Sequence, residues 1–172
     1  KILNENNIKP KKMIVIYDKK VPKKIISKFR AKLINNENIF IGIKFNEKIK
    51  NLNTVKKILD ILGKNNFNRN DCVISIGGGI AGDICSFASS VYKRGLKFVN
   101  IPSTLLSQVD SSIGGKTGVN NFLGKNMIGT FYQPNVVIND TIFLKSLPKR
   151  EMICGYAEIL KHSLISNKNF FI

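Results

Sequence analysis

Acidic residues are scarce. Only 11 Asp and Glu stand against 28 Lys and Arg, a formal net charge of +17 in 172 residues. Such a surplus suits nucleic-acid binding, but its distribution does not. The lysines are scattered over helix-like segments, as at Lys23, Lys24, Lys28, Lys32, Lys56 and Lys57, and no Lys/Arg block is interleaved with aromatics. Arginine, the better bidentate reader of phosphate, occurs only as Arg30, Arg69, Arg94 and Arg150. Abundant Lys, Asn and Ile fit codon drift in an AT-rich genome. No nucleic-acid partner is expected, although an anionic substrate would be attracted.

Cysteine is equally sparse. Cys72, Cys85 and Cys154 are isolated in apolar surroundings and form no C-x-x-C pair. Buried, reduced thiols and a cytoplasmic location follow as expectations. His162 is the only histidine, so a multi-histidine metal site cannot be complete within these residues. No apolar run approaches the ~20 residues of a membrane span, and no signal peptide is visible. The chain begins Lys1-Ile2 and stops at Phe170-Phe171-Ile172, directly after a helical pattern. Both ends read as cut from something longer. What is present, 43% hydrophobic residues, suffices for a core of about one domain.

Strand and helix patterns alternate. Met13–Asp18 reads as a first strand. Pro22 opens a helical segment carrying Ile25, Ile26, Phe29, Leu33 and Ile34, which Asn35-Asn36 break. Residues 38–43 form a second strand. Asn53-Thr54 is placed to cap a helix carrying Val55, Ile58, Leu59 and Leu62, ended by Gly63 and Asn65-Asn66. The buried run 72–76, a helix through Ile84, Phe87, Ala88 and Val91, and strands at 97–101 and 136–140 follow. Pro148 then starts a long helix through Met152, Ile153, Tyr156, Ile159, Leu160 and Leu164. The expected fold is α/β: a Rossmann-like parallel sheet with helices on both faces, then the start of an α-helical C-terminal domain. Residues 1–140 form the first unit and 141–172 begin the second.

The most informative stretch runs from Ser75 to Asn126. Gly77, Gly78 and Gly79 follow a buried strand, and Gly82 and Asp83 follow them as a helix begins. This order aims unpaired backbone N–H groups at a phosphate or pyrophosphate, and glycine permits close approach. The spacing Gly77, Gly79, Gly82 matches G-x-G-x-x-G, a weak signal alone. The acid expected about 20 residues on is replaced by Pro102-Ser103-Thr104. Downstream, Asp110, Ser111, Ser112, Gly114, Gly115, Lys116, Thr117, Gly118, Asn120, Asn121, Gly124, Lys125 and Asn126 make a long polar loop. Loops of that length are functional or disordered, and its interleaved apolar residues favour function.

These motifs resemble those of the 3-dehydroquinate synthase family. The matching runs are GGG-x-x-GD from Gly77, Tyr92-x-Arg94-Gly95, IPSTLLSQVDSSIGGKTGVN from Ile101, LGKNMIG-x-FYQP from Leu123, and Gly155-Tyr156-Ala157-Glu158-Ile159-Leu160-Lys161. The resemblance implies a lyase of the shikimate pathway, acting on a seven-carbon sugar phosphate. A ring alcohol is transiently oxidised by bound NAD, phosphate is eliminated beside the new ketone, the hydride is returned, and an aldol step closes the carbocycle. The implied cofactors are NAD and a divalent metal, Zn or Co.

The implied NAD site comprises Asp18, Glu47, Lys50, Gly79, Gly82, Asp83, Ser103 and Thr104, with Lys116 and Lys125. The implied catalytic set is Asp110, Lys116, Lys125, Asn126, Lys161 and Arg94, the last expected to reach the phosphate across a dimer interface. Asn46 stands where the family's G-E-x-x-K pattern has glycine. Glu158 is the one implied metal ligand; the family's other two are histidines farther along. His162, four residues beyond Glu158, has the spacing to share a metal, but the family does not use that position. The resemblance also implies a sugar-phosphate substrate, a homodimer in the full-length protein and no membrane partner. The 172 residues alone are expected to lack full activity. Another sugar-phosphate cyclase, a basic polyanion-binding module and a decayed fragment are the alternatives.

Overall fold

Four hydrophobic runs that are too short for helices become adjacent parallel strands. The computed structural model describes residues 2–33 and 37–166. A short helix α1 (Ile2–Glu5) leads to β1 (Met13–Asp18), α2 (Lys23–Lys32), β2 (Ile39–Ile43), α3 (Leu52–Lys64), β3 (Cys72–Gly77), α4 (Gly79–Val91) and β4 (Lys97–Pro102). An antiparallel hairpin, β5 (Val119–Asn121) and β6 (Gly124–Ile128), precedes β7 (Val136–Val137) and α5 (Lys149–Ser166). The sheet order is β2-β1-β3-β4-β7, parallel throughout. The expected α/β architecture is therefore present.

Both faces of the sheet are covered, because its central strands are apolar on both sides. Ile14, Ile16 and Val73 pack with Val55, Ile58 and Leu62 of α3 and Ile84 and Ala88 of α4. Val15, Ile74, Ile76 and Ile101 pack on the other face with Ile26 of α2 and Phe143. Each such fully buried aliphatic side chain contributes about 1.5–3 kcal/mol relative to exposure.

Several local expectations shift. Asn51, not Asn53 or Thr54, caps α3, and its side chain accepts from the Thr54 N–H at 3.1 Å. Pro22 sits at the N-cap of α2. The strand expected over 136–140 is cut to Val136–Val137, because Asp140 turns away to cap a 3-10 segment, Thr141–Ser146. Cys154 is exposed rather than buried, since it lies on the outward face of α5. Cys72 and Cys85 are buried, and burial pushes both thiols up to about 12, which keeps them protonated and inert. Ile34, the Asn35-Asn36 break and the terminal Phe170, Phe171 and Ile172 lie outside the described residues.

Candidate functional site

The chain moves from β1 outward to β2, then returns to place β3 on the other side of β1. Such a reversal opens a crevice beyond the carboxyl ends of the strands. A cleft of about 630 Å³ lies there, lined by Asp18, Glu47, Lys50, Gly78, Gly79, Asp83, Ser103 and Thr104. Seven of these eight are residues expected from the sequence to touch the cofactor.

Close packing explains the glycine turn. A Cβ on Gly78 would stand 3.1 Å from Thr104 Cγ2, and one on Gly79 would stand 2.8 Å from Ser111 Oγ. Gly78 is the N-cap of α4 and offers no side chain to the N–H groups of the first turn, and Gly78, Gly79 and Ile80 line the cleft. Gly82 differs from expectation: it does not line the large cleft but faces Asn100, whose Nδ2 would be 3.3 Å from an added Cβ. Its role is close helix–sheet packing.

Polar contacts fasten the rim. Lys50 is 6% exposed, and its Nζ reaches Asp83 Oδ2 and Asn126 Oδ1, each at 2.5 Å. Burial holds the Asp83 carboxyl above its ordinary value, against the downward pull of the Lys50 hydrogen bond and charge. Asn120 donates its N–H to the Lys50 carbonyl at 2.8 Å and its side-chain amide to Glu47 Oε1 at 2.7 Å. Asn126, at φ +56°, donates its N–H to Asn120 Oδ1 at 2.9 Å. The stretch read as a loop is thus a hairpin clamped to the cleft. Lys125 is exposed and lies 3.8 Å from Glu47. Lys116 is exposed beside a second, smaller cavity behind α4.

A second polar cluster sits where α5 crosses a single π-turn, Ser107–Ser111. Gly155 packs on Leu105 with no room for a side chain, a Cβ there standing 2.5 Å from Leu105 Cβ. This brings Asp110 Oδ1 3.8 Å from Lys161 Nζ and 3.5 Å from His162 Nε2. Lys161 also pairs with Glu158, and that hydrogen bond raises the ammonium's pKa. Asp110, Glu158 and His162 offer ligand atoms within 4.8 Å of one another. The carboxylate and imidazole donors suit Zn or another borderline divalent ion. Arg94 is not brought to either cluster. It is exposed at φ +65°, beyond the far end of α4, and a 13-residue helix is ~20 Å long.

The sequence reading missed Phe143, Ser146, Pro148 and Glu151, which also line the large cleft. The signal was there: they follow β7, and the carboxyl end of a parallel strand is where ligand contacts gather.

The family model for the N-terminal part of 3-dehydroquinate synthase matches residues 40–154. A 3-dehydroquinate synthase of Pelagibacter ubique is 58% identical over 171 residues, 99% of this chain and 46% of that protein. That of Buchnera aphidicola subsp. Cinara cedri is 47% identical over 96% of this chain and 46% of its own. The chain therefore spans about half the length of the curated relatives it matches. Among solved structures, a 2-deoxy-scyllo-inosose synthase complexed with carbaglucose-6-phosphate, NAD+ and Co2+ superposes with a TM-score of 0.84 at 29% identity, covering 94% of this chain and 45% of that one. A 2-epi-5-epi-valiolone synthase from Streptomyces hygroscopicus with NAD+ and Zn2+ bound gives 0.83 at 32%, covering 90% and 44%. An iron-containing alcohol dehydrogenase from Corynebacterium glutamicum, at 0.71 and 16% identity over 95% of this chain and 42% of that one, shares the fold alone.

Proposed function

Because the chain belongs to the 3-dehydroquinate synthase family, we propose that it supplies the dinucleotide-binding part of an enzyme converting 3-deoxy-D-arabino-heptulosonate 7-phosphate to 3-dehydroquinate and phosphate. Residues 1–140 form the NAD-binding unit, and 141–172 begin the helical unit that carries metal and substrate contacts. The carrying observation is that glycine turn, Ser103, Thr104 and the Lys50–Asp83 pair converge on one cleft, with Asp110, Glu158 and Lys161 gathered on the adjoining π-turn and α5.

The residues present fit NAD. The tight approach at Gly78 and Gly79 leaves backbone N–H groups free for a pyrophosphate, and Asp18, 8% exposed at the end of β1, suits a ribose hydroxyl. When bound, NAD supplies the reversible hydride acceptor. They also fit one corner of a metal site, with Glu158 as ligand, where a divalent ion would polarise the alcohol under oxidation.

The chain's own groups do the rest. Asp110 accepts hydrogen bonds from substrate hydroxyls and holds the Lys161 ammonium toward them. Lys116 and Lys125 bring cationic charge to the leaving phosphate, and Asn126, anchored by Lys50, presents its amide to a hydroxyl. Arg94 acts from a second subunit of a homodimer. The neighbours that bind NAD+ with Co2+ or Zn2+ support the cofactor assignment.

The test is an assay of the full-length protein with NAD, a divalent metal and a panel of sugar phosphates. Formation of 3-dehydroquinate with phosphate release, from the heptulosonate alone, is the expected result. A different carbocycle from a hexose or heptose phosphate would assign it to another cyclase, and salt-sensitive DNA binding without NAD binding would overturn the enzyme reading.

A further inference from the structure

The small cavity behind the first turn of α4 has a donor and acceptor set of its own. Asn100 and Ser112 are 5% and 6% exposed. Asn100 Oδ1, Ser111 Oγ and Ser112 Oγ are all buried atoms with no hydrogen-bond partner among the described residues. All three residues line one cavity of about 10 Å³. A buried polar atom left unsatisfied is costly, so these three call for a partner within the cavity they line. The two side chains do not satisfy each other, since Asn100 Oδ1 and Ser112 Oγ both lack a bond. The partner must donate to an amide oxygen while also bonding hydroxyls, and must fit a space of one solvent molecule. Only water does this at that size.

We propose that this cavity is a built site for a single structural water, held by Asn100 of β4 and Ser112 and Ser111 of the π-turn segment. Asn100 lies under Gly82 on the sheet, whereas Ser111 follows Asp110 directly. The water therefore bridges the sheet to the turn from which Asp110 faces α5 and Ser111 faces the glycine turn. Ser111 and Asp83 line both the cavity and the large cleft, so the bridge sets the wall of that cleft from behind. Ser112 is a positioning residue in this arrangement.

Crystals of the full-length protein at atomic resolution, grown with and without NAD, test the site. The expected result is one ordered water within about 2.7–3.2 Å of Asn100 Oδ1 and Ser112 Oγ, present in both. Absence of the water, rotation of Asn100 and Ser112 into direct contact, or displacement of the water by NAD would each overturn the proposal. Crystals of Ser112→Ala should show the water lost or moved toward Ser111, and an unchanged peak would overturn the part given to Ser112. The readout stands whether or not the large cleft binds NAD, so failure of the dinucleotide reading would be seen separately.

Discussion

The ammonium of Lys50 lies 2.5 Å from the carboxylate of Asp83, and both side chains are largely withdrawn from water, at 7% and 21% exposure. One buried cation thereby joins the first turns of α4 to the segment that clamps the β5–β6 hairpin. A buried pair of this kind stabilises little against an apolar substitute, but removing one partner strands the other.

Lys50→Met should therefore cost about 3–5 kcal/mol, read from denaturant unfolding, and should weaken NAD binding. Adding Asp83→Asn to that variant should recover part of the loss. If the two substitutions are simply additive, the pair is not coupled.

The pH dependence follows from the same carboxylate. Burial, the largest influence, raises Asp83 above its ordinary 3.8, and Lys50 only partly offsets it. The folded state thus holds this proton more tightly than the unfolded chain. Its contribution to stability is greatest below the ordinary value and falls as pH rises through the raised one. The stability difference between wild type and Asp83→Asn should accordingly decline from about pH 3 to pH 7. A difference that grows over that range would mean attraction to Lys50 outweighs burial.

Two glycines in helices should answer oppositely to the same change. Gly63 in α3 has nothing within 4 Å of an added Cβ, so Gly63→Ala should stabilise by about 0.5–1 kcal/mol. At Gly155 the Cβ would meet Leu105 at 2.5 Å. Gly155→Ala should push α5 off the π-turn, cost about 1–3 kcal/mol, and lower activity by separating Glu158 and Lys161 from Asp110. Thermal midpoints and steady-state kinetics check both.

Metal content separates Glu158 from His162. Full-length Glu158→Ala should lose bound zinc, whereas His162→Asn should retain it. Loss of metal in both would enlist His162 as a ligand, in keeping with its place within 4.8 Å of the other two donors.

Much of the scaffold was legible in the residues. β1 and β3 are continuous apolar runs, and such runs between turn residues have few options but buried strands. The glycine turn was legible because only glycine tolerates Thr104 and Ser111 so close. The hairpin was not: strands of three and five residues rich in Asn and Gly carry no alternation. What holds them is contact with Glu47 and Lys50, 73 and 76 residues away in the chain for the side-chain bonds. The cap of α3 was misplaced by two residues because Asn51 and Asn53 have equal capping chemistry and only backbone geometry chooses between them.

The order of the parallel strands and the helices between them, the phosphate-seeking turn and the identity of the charged residues were settled by the amino acids themselves, since each rests on local periodicity or on the size of one side chain. Which charges meet was decided in three dimensions. Asp110 faces Lys161 and His162 because a π-turn rotates it and a glycine on α5 allows close packing, and Arg94 stands apart because α4 carries it to the opposite end. Contacts between distant segments depend on the packing of whole elements, and no local pattern encodes them.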